Sequence, residues 1–113
     1  MTAGTGGHSG VAARWGTLTI AEQLAHVGSD VERALRAHDA GNAARCDRAL
    51  DRALELFDLT AADPRWRGPR RREILRAREE FCGCLLVDRT SVDSADGLRR
   101  YFLAFAVLAR GHR

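Results

Sequence analysis

Residues 19–42, TIAEQLAHVGSDVERALRAHDAGN, predict an amphipathic helix that turns directly into a second helix. Thr19 and Glu22 fit the T-x-x-E capping box, in which each side chain accepts a hydrogen bond from the other residue's free backbone amide. Apolar residues then recur at steps of four, three, four and four, at Ile20, Leu24, Val27, Val31 and Leu35. Gly41 can end this helix and Asn42 can cap the next. The turn is therefore short, and we expect the two helices to form an antiparallel hairpin.

Patterns of the same kind predict three helices after the first. The second carries one apolar stripe, formed by Cys46, Leu50, Ala53, Leu54, Phe57 and Ala61. Asp63-Pro64 ends it, because proline disfavours helical geometry in the residue before it. Pro69 is well placed to begin a third helix that runs to about Val87. A polar link follows, and a fourth helix should occupy roughly residues 95–109.

The composition favours a single helical domain. The chain has 113 residues, of which 45% are hydrophobic and 29% charged, and this balance suits a globular fold. No alternating apolar run or strand-turn-strand signal is present. The sequence therefore predicts an all-α, antiparallel four-helix bundle over residues 15–113, preceded by a flexible glycine-rich tail at residues 1–14.

Charge, apolar runs and cysteines bear on the environment of the protein. The net charge is +3, which is only mildly basic. The longest uncharged apolar run, residues 101–109, is too short to span a bilayer, and the glycine-rich start lacks the apolar core of a signal peptide. An odd number of cysteines without secretory signals favours reduced thiols in the cytoplasm. On a helix Cys82 and Cys84 diverge by about 200°, so neither a metal site nor a cofactor is expected.

The fourth predicted helix is the least amphipathic. Six of its residues share one face, namely Leu98, Tyr101, Phe102, Phe105, Leu108 and Ala109. Leu103 and Val107 point elsewhere. A helix that is apolar on nearly all sides is buried on several of them. It is therefore either the centre of the bundle or the site of self-association, and the pattern leaves both interpretations open.

An arginine-rich stretch, residues 63–80, is the most conspicuous candidate for binding. Arg76 can pair within its own helix with acids three or four residues away. Five residues at the loop end stay uncompensated, namely Arg65, Trp66, Arg67, Arg70 and Arg71. Arginines around an aromatic ring could hold phosphate and stack a base. Alternatively, the tryptophan packs over the end of the bundle while the arginines are solvated.

Arg78 falls on the apolar face of the third predicted helix. A guanidinium in such a position needs a carboxylate to offset its desolvation. Glu32 and Asp58 flank the apolar stripes of the first two helices and are the most plausible partners, and Asp39 and Asp47 are further possibilities. We expect a buried ion pair that fixes the register of the helices.

Several segments resemble a family of small, uncharacterised, all-helical prokaryotic proteins. They are W-G-T-L-T-I-A-E-Q (15–23), G-S-D-V-E-R (28–33), R-A-L-E-L-F-D-L-T (52–60), D-P-R-W (63–66), E-I-L-R-A-R-E (73–79) and Y-F-L-A-F-A (101–106). The resemblance implies a compact domain and no particular activity. It also implies a recurring polar set of Glu22, Gln23, Glu73, Arg76 and Glu79. Together with Asp58 and Arg78, these residues form the predicted structural polar network.

A second resemblance suggests a different function. Arg33-A-L-R-A-His38 formally satisfies the signature of the HEPN superfamily, small helical bundles that often act as ribonucleases, in which a histidine follows an arginine by four to six residues. The resemblance implies Arg33 as a phosphate clamp and His38 as a general acid or base. The pair lies on the first helix, however, and its five-residue step rotates the two side chains about 140° apart.

Three hypotheses follow. The leading one is a cytoplasmic, non-catalytic interaction or accessory module that self-associates through the fourth helix, on the side of Leu103 and Val107, and that could also bind a protein partner. The second is a HEPN-type RNA-directed nuclease or toxin that uses Arg33 and His38. The third is a non-catalytic RNA- or DNA-binding protein that uses the arginine- and tryptophan-rich loop.

Overall fold

The computed structural model describes residues 12–86 and 92–111, and this part of the chain contains helices and no strand. A short helix α1 at residues 12–15 precedes four long ones, α2 (Ile20–Asp39), α3 (Ala43–Ala62), α4 (Pro69–Leu86) and α5 (Val92–Gly111). A 3-10 turn, Pro64–Trp66, joins α3 to α4. The all-α prediction is confirmed. The count differs from the predicted four, because α1 adds a fifth helix within the described residues.

The ends of α2 and α3 follow the predicted local signals. Thr19 Oγ1 accepts a hydrogen bond from the Glu22 amide at 3.1 Å, and Glu22 Oε1 accepts one from the Thr19 amide at 2.8 Å. Gly41 adopts a φ of +73°, a left-handed conformation that favours glycine. Asn42 then caps α3 by accepting from the Arg45 amide at 3.1 Å. The expected hairpin of α2 and α3 is therefore present.

Helix α2 lies between α3 and α5 and packs most extensively against these two. Its buried apolar residues meet an aromatic cluster in which the Phe57 ring lies 5.9 Å from both the Phe81 ring and the Phe102 ring. These three rings bring α3, α4 and α5 together. The core is completed by Trp15, Leu24, Val27, Val31, Ala34, Leu35, Ala53, Ile74, Ala77, Cys84 and Leu98.

Helices α2 and α5 approach each other closely at Gly28. A Cβ atom added there would lie 2.6 Å from Phe102 Cβ and 3.0 Å from Phe102 Cγ, closer than packed carbon atoms allow. One helical turn away, Arg99 Nε donates to Glu32 Oε1 at 2.7 Å. Because glycine is required for this contact, the packing of α5 depends on one position of α2.

The predicted tail lies only partly within the described residues. Residues 1–11 lie outside the described residues, while residues 12–14, assigned to the tail by the sequence, belong to α1. Within residues 12–86 and 92–111, no helix combines the length and apolar character needed to cross a membrane.

Candidate functional site

The arginine- and tryptophan-rich loop packs against the start of α2. Asp63 is buried and accepts from three donors of Arg65, the backbone amide at 3.0 Å, Nε at 3.1 Å and Nη2 at 2.8 Å. Arg65 Nη2 also donates to the Leu18 carbonyl at 2.7 Å, and its guanidinium lies 4.5 Å from the centre of the Trp66 ring. These hydrogen bonds hold the pKa of Asp63 well below its usual range, against the opposing effect of burial.

Gln23 is the centre of this loop's hydrogen bonds. Its fully buried amide group donates from Nε2 to the Trp15 carbonyl at 2.8 Å and to Asp63 Oδ2 at 3.0 Å. Its Oε1 accepts from Trp66 Nε1 at 2.7 Å. Trp15 Nε1 donates in turn to Thr60 Oγ1 at 3.0 Å. Both donor hydrogens and the acceptor of the amide are used, so Gln23 joins α1, α2, the end of α3 and the loop into one network.

Two of the three remaining arginines of the loop also have partners within the chain. Arg70 Nη1 pairs with Glu73 at 2.8 Å, and Arg71 Nη2 donates to the Asp63 carbonyl at 3.3 Å. Of the five residues predicted to bind nucleic acid, only Arg67 has a side chain without a hydrogen bond or ion pair to another described residue. The geometry is therefore that of a joint between helices, at which Arg65, Arg67 and Arg70 still keep exposed side-chain surface.

Arg78 pairs with one of its expected partners, but at the surface. Its Nε lies 3.0 Å from Asp58 Oδ1, with 33% of the arginine side chain and 63% of the aspartate side chain exposed. The expectation of a buried pair was wrong, because the guanidinium reaches past the apolar face to the rim between α3 and α4. An exposed pair of this kind contributes about 1 kcal/mol or less.

The other members of the predicted polar network do not converge on one site. Glu22 closes the cap of α2, while Glu73 Oε1 accepts from Arg70 and, at 2.8 Å, from Tyr101 Oη. Burial and the neighbouring Glu73 carboxylate raise the pKa of Tyr101. Arg76 and Glu79 lie on the exposed side of α4. These residues therefore stabilise separate contacts.

The HEPN-like pair is not brought together. Arg33 Nη1 pairs with Asp30 at 2.7 Å, beside a groove between α2 and α3. His38 is exposed and lies outside the set of residues that line that groove. Within this chain, the two side chains therefore form no common cleft in which an arginine could clamp a phosphate beside a general base.

The thiols and other potential ligands also remain dispersed. Cys46 and Cys84 are buried, and desolvation raises the pKa of both thiols. In the part of the chain that the structure describes, no three histidine, cysteine or acidic side chains come close enough to hold a metal ion. A buried thiol of raised pKa carries little thiolate and is a poor nucleophile.

The outer side of α5 exposes an apolar surface, formed by Leu103, Ala104, Val107 and Leu108, which we call the α5 face. Leu103 is 57% exposed and Val107 52%. These two residues are the ones that the sequence placed away from the core-facing side of this helix. The sequence placed Leu108 on the core-facing side, but it is 51% exposed, so that placement was wrong.

Beside the α5 face runs a shallow groove of about 490 Å³ between α2 and α5. Small residues form part of its wall, namely Ala25, Gly28, Ser29 and Ala106, and Leu103 stands at its edge. The α5 face therefore places protruding aliphatic side chains next to a recess.

A buried aspartate, Asp30, lies where α2 packs against α3. It was not singled out from the sequence. The side chain of Asp30 is 5% exposed, and its two oxygens face Arg33 Nη1 at 2.7 Å and Arg52 Nε at 3.5 Å. Its sequence signal was available: Asp30 follows Val27 by three residues, so it lies near the apolar stripe. The partner on α3 could not be identified without the packing of the two helices.

No protein-family model, curated protein or solved structure matches this chain. The segment resemblances therefore gain no support from the comparisons, and function is inferred from the chain's own surface.

Proposed function

We propose that this chain is a non-catalytic interaction module that self-associates through the α5 face. The observation that carries the proposal is the exposure of Leu103 and Val107, which lie one helical turn apart on the same side of α5. Isolated exposed leucines are common on soluble proteins, but a contiguous apolar surface is typical of interaction sites.

A second copy of this chain is favoured as the partner because the α5 face and the groove beside it are complementary to each other. Leu103 and Val107 protrude, while the adjacent groove presents the small side chains of Ala25, Ser29 and Ala106. Charged residues also line the groove, namely Glu32, Arg33, Arg36 and Arg99. In a twofold dimer each copy offers both features, so that the protruding residues of one can enter the groove of the other.

The size of the effect follows from the exposed area. Full burial of a leucine or valine stabilises by about 1.5–3 kcal/mol, and roughly half of each side chain is still exposed here. Two residues from each of two copies would therefore contribute about 4 kcal/mol, equivalent to ~1000-fold in the dissociation constant.

Analytical ultracentrifugation of the full chain tests the proposal. We expect a species of twice the 12.4 kDa monomer mass, and the double variant Leu103→Gln/Val107→Gln should sediment as a monomer at the same concentration. Leu75→Gln is the matched control, since Leu75 is 43% exposed but belongs to α4. A monomeric wild type at about 100 µM, or equal dissociation by the Leu75 variant, would contradict the proposal.

The absence of a common cleft around Arg33 and His38 favours a non-catalytic module over the HEPN-type nuclease. A separate measurement distinguishes the two. A nuclease would cleave RNA, and Arg33→Ala or His38→Ala would abolish that cleavage, whereas a non-catalytic module would leave the RNA intact.

A further inference from the structure

The hairpin of α2 and α3 carries a groove of about 1140 Å³, separate from the α5 face, whose walls are rich in arginine. Arg33 and Arg36 lie on the α2 side, and Arg45, Arg48 and Arg52 on the α3 side. Three acids, Asp30, Asp51 and Glu55, also line it. The lining therefore has a net positive charge.

Two of these arginines are anchored by one buried carboxylate. Asp30 faces both Arg33 and Arg52, at 2.7 and 3.5 Å, yet the two arginine side chains remain 70% and 71% exposed. A guanidinium has five N–H donors, so each keeps donors directed to solvent after pairing. One aspartate shared by two arginines leaves one positive charge uncompensated and restricts the motion of both side chains.

Arg45 and Arg48 have no such partner. Both are exposed, and neither forms an ion pair with another residue of the described ranges. Together with Arg52 they recur at steps of three and four along α3, which places them on one side of the helix. The row extends about 10 Å at 1.5 Å per residue.

Charged side chains and small alanines line most of the groove. Its floor includes Ala37 and Ala49, and no aromatic side chain is among the described residues that line it. A protein partner is usually held by buried aromatic and aliphatic anchors, for which this groove offers no deep apolar pocket. A row of positive charges over small residues suits a phosphate backbone.

We propose that the α2/α3 groove binds the phosphate backbone of a nucleic acid strand, using Arg45, Arg48 and Arg52 from one wall and Arg33 from the other. No aromatic side chain is among the described residues that line the groove, and Asn42, the amide there, uses its Oδ1 to cap α3. We therefore expect binding that is independent of base sequence. The residues of the arginine- and tryptophan-rich loop are not among those that line this groove.

The test compares two double variants with the same change in net charge. Arg45→Gln/Arg48→Gln removes two charges from the groove, whereas Arg72→Gln/Arg76→Gln removes two from the exposed side of α4. Each lowers the formal net charge from +3 to +1. Glutamine is a good helix former, and circular dichroism melting verifies that both variants fold.

Binding is measured by fluorescence anisotropy with labelled oligodeoxythymidine of about 20 nucleotides, longer than the ~4–16 nucleotides that comparable grooves cover. Wild type should bind at about 50 mM salt and weaken steeply toward about 200 mM. The groove variant should bind at least ~10-fold more weakly, with a salt slope lower by about 1.4, or ~0.7 for each lost phosphate contact. The α4 variant should stay within about 3-fold of wild type.

Four results would overturn the inference. They are no binding at low salt, binding that salt leaves unchanged, equal weakening by the two double variants, and complete displacement of the oligonucleotide by polyglutamate at equal charge concentration. The last result would assign the groove to an acidic protein. Arg33 and Arg36 line both this groove and the groove beside the α5 face, whereas the substituted residues Arg45 and Arg48 line only this one. The two proposals can therefore fail separately.

Discussion

Replacing Gly28 with alanine should destabilise the protein, although the same substitution stabilises most helices. In a helix interior, alanine is favoured over glycine by about 1 kcal/mol. At Gly28, however, the new Cβ would lie 2.6 Å from Phe102 Cβ, an atom attached directly to the backbone of α5. The side chain cannot rotate this atom away, so α2 and α5 must separate.

The magnitude follows from two opposing effects. Overpacking of this kind costs about 1–3 kcal/mol, and the gain in helix propensity offsets about 1 kcal/mol of it. We therefore expect a net loss of up to about 2 kcal/mol in the free energy of unfolding. Because Phe102 also packs against Phe57, the displacement should spread to the contact between α3 and α5.

Gly83→Ala is the matched control. Gly83 lies inside α4, and a Cβ there meets no heavy atom within 4 Å. This variant should gain about 0.5–1 kcal/mol. Urea denaturation followed by circular dichroism at 222 nm gives both values, and equal m-values verify that the comparison is valid. A Gly28→Ala variant as stable as Gly83→Ala would refute the close approach of α2 and α5.

Two further predictions concern the network around Gln23. Gln23→Glu preserves the side-chain shape but replaces the donor Nε2 with an oxygen that faces Asp63 Oδ2 and the Trp15 carbonyl. Urea denaturation should therefore show a loss of about 2–4 kcal/mol in the free energy of unfolding at pH 7. Unchanged stability would contradict the network. Arg65 lowers the pKa of folded Asp63 below its unfolded value near ~4. The ionised Asp63 carboxylate therefore stabilises the folded state above the unfolded pKa, and this stabilisation is lost as the pH falls from there through the lower pKa of the folded state. Asp63→Asn should flatten the pH dependence of unfolding between about pH 5 and 2, and a curve parallel to wild type would refute this role.

The local features of the fold could be predicted because they depend on neighbouring residues. Thr19 and Glu22 form a cap whose partners lie three residues apart, and Gly41 and Asn42 define a turn through their own backbone preferences. The apolar spacing along α2 likewise predicts which side is buried. The sequence also separated Leu103 and Val107 from the core side of the last long helix, and both are exposed.

Contacts between distant residues could not be predicted in this way. Trp66 and Asp63 turn toward the bundle because Gln23, forty and more positions earlier, presents its amide to both. Arg65 then pairs with Asp63. The sequence-based interpretation counted these charges as available, since neither their partners nor their distances follow from periodicity.

The sequence by itself determined an all-helical chain, the capped hairpin at its start and the apolar surface of its last helix, because short-range hydrogen bonding and helical periodicity encode them. Tertiary structure decided which charges remain available. Packing α2 against α3 buries Asp30 between Arg33 and Arg52, and it leaves Arg45 and Arg48 facing solvent along a groove. A charge is neutralised only by what lies within a few ångströms of it, and only the folded chain establishes those distances.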